Sequence, residues 1–148
     1  MSKTISFKGQ LAMGTQDIIN LKTNNGKTGY KITKFQVMPT LPGVHDNELL
    51  GKIYSTDQTG NVTDTVDFSE GELMAATFQK TESSGDGGST FETVIFDNAQ
   101  TNQNIFVYIS DIGARSDPAN YYIELERMKI SDVEATKLTL QSIRNVIS

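Results

Sequence analysis

The sequence predicts an all-β domain of the β-sandwich or jelly-roll kind, closed by a short C-terminal helix. Three observations carry this expectation. Short runs alternating apolar with polar residues recur from Thr4 to Ile130, separated by turns of Gly, Asn, Asp and Pro. These runs do not alternate with helical patterns, which argues against a parallel α/β sheet. The period changes only after Ile130, where a helix-start signal and an apolar stripe at 3–4 spacing appear.

Taken in order, Thr4–Lys8 alternates as a half-buried strand does, and Asp17–Leu21 is a second short candidate. Asn24-Asn25-Gly26-Lys27 reads as a turn, because Asn and Gly tolerate positive φ. Tyr30–Val37 is the longest strand of the first half. Its apolar phase slips by one between Ile32 and Phe35, which predicts a bulge near Thr33-Lys34. Pro39 and Pro42-Gly43 end it and open a loop through Asn47. Leu49–Tyr54 restarts a strand, Asp57–Asn61 turns it, and the acidic stretch 62–71 is ambiguous. Leu73–Phe78 fits either a strand or a helical turn. Residues 83–89, Ser-Ser-Gly-Asp-Gly-Gly-Ser, read as a flexible loop tip without packing capacity.

Thr90–Phe96 follows as a strand. Asn104–Ser110 is apolar on both faces and so belongs in the middle of a sheet covered on both sides. Ser116–Asn120 is a turn. Tyr121–Ile130 places Tyr121, Ile123 and Leu125 on one face, with a second phase slip bringing Met128 and Ile130 inward. Ser131 at N-cap and Glu134 at N3 form a capping box, and Val133, Thr136, Leu140, Ile143 and Ile147 make one stripe. Thr136–Leu140 also alternates as a strand would, but cap and stripe agree on a helix over about 132–146. The expected core is Ile32, Phe35, Val37, Phe96, Ile105, Val107, Ile109, Ile123 and Leu125.

The 148 residues fit one domain, 1–148, with no internal repeat or linker. Thr, Ser, Asn and Gln supply 47 residues, so the surface is mostly neutral and polar. The absence of Cys excludes disulfides, thiolate catalysis and Cys-based metal sites, and the single His excludes a two-His metal motif within one chain. No apolar run is long enough to cross a membrane as a helix. Met1–Lys8 holds no apolar stretch of signal-peptide length, so the expectation is a chain made without a secretory leader. The net charge of −5 disfavours general nucleic-acid binding. That charge is uneven: seven Lys face three acids in residues 1–52, and six Lys and Arg face fifteen acids in 53–148. If the two sets occupy different faces, copies of the chain can meet head to tail and close into a ring, with a trimer favoured.

The candidate chemistry is sparse. His45 sits among Asp46 and Glu48 in a polar loop, with no Ser or Cys nucleophile motif near it; a solvated loop His is the favoured reading. Asp57, Asp64, Asp67, Glu70 and Glu72 are oxygen-rich, but the spacing of a calcium loop is absent, which favours a solvated acidic face. Asp86–Ser89 matches neither phosphate-binding glycine motif. Lys22, Lys27, Lys31 and Lys34 surround Tyr30 and Phe35, a combination able to bind single strands. Tyr30 and Phe35 read as core, and Lys31 and Lys34 flank the bulge and need not share a face. Tyr108, Tyr121 and Tyr122 could stack on sugar rings if exposed; core packing with the hydroxyl at the rim is the favoured reading. Asn61-Val62-Thr63 fits a glycosylation sequon that a chain without a leader does not use. The expectation is therefore a non-enzyme, with no catalytic, cofactor-binding or metal residues.

Ile105–Asp111, then Asn120–Glu126, then the Asp132–Asn145 tail resemble small virion structural proteins of tailed bacteriophages, particularly marine ones. Proteins of that class are about this length, lack Cys, are rich in Thr and Asn, and end on a long strand followed by a short helix. The likeness covers residues 90–147. It implies a β-sandwich that serves the virion as a capsid decoration (cement) protein or related component, bound to the phage major capsid protein as a homo-oligomer. It implies no active site, nucleic-acid partner, membrane or cofactor. The alternative is a carbohydrate-binding module or a receptor-binding fibre domain, which would need an exposed Tyr, Asn and Asp patch at one end of the sandwich.

Overall fold

The computed structural model describes residues 3–23, 25–41, 46–59, 65–81, 89–96, 100–111 and 117–147. In chain order the strands are β1 (Lys3–Leu11), β2 (Thr15–Ile19), β3 (Thr28–Pro39), β4 (Asn47–Tyr54), β5 (Leu73–Thr81), β6 (Ser89–Ile95), β7 (Gln100–Thr101), β8 (Ile105–Asp111) and β9 (Ala119–Lys129), followed by α1 (Asp132–Ile147). Two antiparallel sheets face each other, ordered β1-β9-β3-β7 and β2-β8-β4-β5-β6. The chain is thus an all-β sandwich with one terminal helix, as the alternation predicts. Leu73–Phe78 resolves as strand because β5 pairs on both sides, with β4 and β6.

The core lies between the sheets. From the first come Tyr30, Ile32, Phe35, Ile123 and Leu125; from the second Leu49, Ile53, Ile105, Val107 and Ile109. Gly51 marks the closest approach. A Cβ there would lie 2.8 Å from Val37 Cγ1 and 2.9 Å from the Phe35 ring, so only Gly lets β4 reach β3. Eight of the nine expected core residues are buried. The exception is Phe96, half-buried just past the end of β6, where its ring meets Phe68 edge-on at 4.9 Å.

The bulge falls where the phase slip places it. Ile32 pairs with Leu125 and Lys34 with Glu124, leaving Thr33 as the extra residue. This corrects the expectation that Lys31 and Lys34 need not share a face. The inserted residue cancels their odd spacing, so Lys31 faces Glu126 and Lys34 faces Glu124 on the outer side of the sheet. Lysines of the first third and acids of the last third therefore intermingle here, against the charge separation the sequence suggested. The second slip, at Met128, does not occur. The β9 register against β3 runs unbroken from Leu125 to Lys129, and Met128 stays half-buried in the outward phase. Ala119 and Asn120, expected in a turn, already belong to β9.

β8 lies inside its sheet with both faces covered, as its composition predicts. Tyr108 is buried beneath Lys52. Lys52 Nζ sits 5.8 Å above the Tyr108 ring and 5.6 Å above that of Tyr54, and donates to the Thr65 carbonyl at 2.9 Å. The 65–72 segment thus closes this face.

The helix starts at the capping box. Glu134 N–H donates to Ser131 Oγ at 3.2 Å, and Ser131 N–H donates to Glu134 Oε2 at 3.4 Å. Ser131→Ala is expected to cost about 1 kcal/mol of stability, read by chemical denaturation; an unchanged midpoint would mean the cap is idle. The helix direction differs from the stripe expectation. Val133 is 79% and Leu140 56% exposed, and Thr136 is exposed, while Ala135, Leu138 and Thr139 turn toward the sandwich. The side chains of Ile143 and Ile147 lie outside the described residues. That face meets Asn102, fully buried beside β7, whose Nδ2 donates to Ala135 O at 3.2 Å and Thr139 Oγ1 at 2.9 Å. It also donates to Gly26 O at 3.1 Å, and Gly26 (φ +82°) and Asn25 (φ +58°) make the left-handed turn expected there.

Candidate functional site

Several sequence candidates fall outside the described residues: His45, Asp64, the Asn61–Thr63 sequon and most of the 83–89 loop. The remaining acids take different roles. Asp57 Oδ1 accepts from Thr59 N–H (2.8 Å), Thr59 Oγ1 (2.6 Å) and Gln16 Nε2 (2.7 Å), bonds that lower its pKa to about 2. Asp67 accepts in the same way from Ser69 N–H and Oγ at 2.9 and 2.6 Å, which also lowers its pKa. Both carboxylates thus close local turns. Burial raises the Glu70 pKa, the nearby Glu72 raises it further, and Lys52 opposes them. Among the described residues no group of three or more His, Cys, Asp or Glu is arranged to hold a metal ion, and no helix is long and apolar enough to cross a membrane.

The lysine–aromatic set does not form a stacking platform. Tyr30 and Phe35 are buried, and Tyr30 donates its hydroxyl to the Lys22 carbonyl at 2.6 Å. The three tyrosines separate too. Tyr108 and Tyr121 are buried, while Tyr122 lies on the outer side with Lys34 Nζ 5.9 Å from its ring centre. Tyr122 donates to Glu124 Oε1 at 2.8 Å, which raises its own pKa. Tyr121 spans the sandwich: its hydroxyl donates to Asp17 Oδ2 of the facing sheet at 2.9 Å.

Burial, and then the bond to Asp17, push the Tyr121 pKa well above the ordinary 10.0; burial, and then Glu70 and Glu72, do the same to Tyr54. Both phenols are favoured in the neutral form by the fold. Their contribution is complete below pH ~10 and is lost as pH rises further, because the unfolded chain releases protons that the native state retains. Titration of tyrosinate absorbance should show Tyr54 and Tyr121 ionising only as the protein unfolds. Ionisation of all five tyrosines near pH 10 with the fold intact would contradict this.

The feature best suited to bind a ligand is a cleft of about 790 Å³ built from both sheets. One wall comes from β1, β3 and β9, through Lys8, Gln10, Gln36, Met38, Asn120 and Tyr122. The other is the β5–β6 pair, through Thr77, Gln79, Phe91 and Thr93. The second wall is anchored to the first. Thr77 and Thr93 hydroxyls are 2.8 Å apart, and Thr93 Oγ1 donates to the Phe35 carbonyl at 3.5 Å. Gln10 Nε2 donates to Asn120 Oδ1 at 3.2 Å across β1 and β9.

Sequence reasoning weighed Tyr122 as a stacking residue but favoured core packing, and it named neither Gln79 nor Phe91. The alternation of Thr90–Phe96 puts Phe91, Thr93 and Ile95 on one face, where Ile95 packs on the core and Phe91 is 76% exposed. Nothing in the alternation tells which end of a strand overhangs the opposite sheet. No protein-family model matches the chain, and no curated protein matches it significantly.

Proposed function

We propose that this chain is a non-catalytic structural protein of a tailed-phage virion, acting as a capsid decoration protein that binds and stabilises the outer shell. The observation that carries the reading is the C-terminal third. Central β8, central β9 and the capped helix α1 follow one another in the succession that the virion-protein resemblance implies. The outward Val133 and Leu140 support a role exercised through a contact surface, since an exposed helical apolar stripe gains stability when a partner covers it. In this reading the chain self-associates and docks on the major capsid protein.

Sedimentation velocity, with pelleting on undecorated capsids of the encoding phage, tests the proposal. The expected result is an oligomer that pellets with capsids, and a Leu140→Glu variant that remains folded and loses both properties. Because Lys and Glu intermingle on the outer sheet face, salt should affect assembly only modestly. A strict monomer that ignores capsids overturns the proposal.

A further inference from the structure

We infer that the cleft between the β1–β9–β3 wall and the β5–β6 wall is a binding site for a neutral saccharide. Its volume of about 790 Å³ falls in the range of small-molecule sites. Two features of the cleft are costly without a ligand. Phe91 leaves 76% of its surface uncovered on one wall, and Met38 leaves 57% on the other. Gln79 Oε1, on the β5–β6 wall, is shielded from solvent and has no hydrogen-bond partner among the described residues, the state in which an acceptor pays its full desolvation cost.

The lining selects the ligand class. Its neutral polar groups are four amides, Gln10, Gln36, Gln79 and Asn120, and as many Thr and Tyr hydroxyls. Among the described residues no carboxylate lines the cleft, which disfavours a cation, and Lys8 is their one cationic side chain in the lining, too little to hold an anion. A wholly apolar ligand would cover these amides without offering them hydrogen bonds. A sugar fits both halves. Its C–H face covers an aromatic ring, and its hydroxyls exchange hydrogen bonds with amides, donating to Gln79 Oε1 once that side chain turns into the cleft. The inference rests on side chains remote from Val133 and Leu140, so it stands or falls separately from capsid docking.

The test is titration of the full chain, followed by isothermal calorimetry and by NMR shifts, with trisaccharides of glucose, mannose, galactose and N-acetylglucosamine, and with trigalacturonate as the acidic counterpart. The expected result is saturable binding of at least one neutral trisaccharide, insensitive to salt. Phe91→Ala should weaken it about tenfold by removing the stacking surface. Gln79→Leu should weaken it about tenfold by removing the acceptor. Ser131→Ala, far from the cleft, should bind as the parent does. Phe91 is exposed, so its variant is expected to fold, and it decides the matter even if Gln79→Leu does not. No saturable binding of any neutral sugar, binding unchanged in Phe91→Ala, or a salt-sensitive preference for trigalacturonate overturns the inference.

Discussion

Ile123→Ala is expected to destabilise the protein by about 2–5 kcal/mol. Ile123 is fully buried in the middle of β9, with Phe7 of β1 on one side in the ladder and Phe35 of β3 on the other. Its side chain points between the sheets, where Phe35 already touches the position of Gly51 on β4. Truncation removes burial and leaves a cavity that two hydrogen-bonded sheets can close only in part. Denaturant unfolding with an unchanged slope should report the loss as a lower midpoint. A change below about 1 kcal/mol would show that Ile123 does not lie in the main core.

Asn102→Ala is the second large effect, with an expected loss of about 2–3 kcal/mol. One fully buried amide ties three parts of the chain together: the Gly26 turn, the helix backbone at Ala135 and the Thr139 hydroxyl. Alanine leaves these acceptors facing a void. The loss should be local as well as global, so hydrogen exchange is the sharper measurement. The amides of α1 should exchange faster than in the parent, while those of β8 and β9 follow global stability. Helix protection equal to the parent's, with stability within about 0.5 kcal/mol, would show that another contact holds the helix. If α1 carries the capsid contact, the same variant should also weaken docking, because the outward stripe would lose its fixed orientation.

The burial of Lys52 shows why charge counts mislead. In the sequence it is the last of seven lysines in the positive third. In the fold it is 1% exposed, held by the Thr65 carbonyl and the rings of Tyr54 and Tyr108. Position along the chain and position on the surface are different variables, and a bulge of one residue was enough to bring Lys31 and Lys34 opposite Glu126 and Glu124.

By itself the sequence determined what short-range physics encodes. Strand alternation, the bulge at Thr33, the positive-φ turn at Asn25-Gly26 and the reciprocal Ser131–Glu134 cap each depend on neighbours within a few residues, and each is where local pattern puts it. Tertiary structure alone decided what depends on partners distant in the chain. The face of α1 that docks carries Ala135 and Thr139, which meet Asn102, some thirty residues upstream, and this leaves Val133 and Leu140 outward. The cleft exists because β6 is paired to β5 yet packs by Thr93 against the backbone of β3, in the opposite sheet. A two-residue period specifies which side chains share a face; which sheet that face meets, and where the meeting falls short and leaves Phe91 uncovered, follows only from the packing of the whole chain.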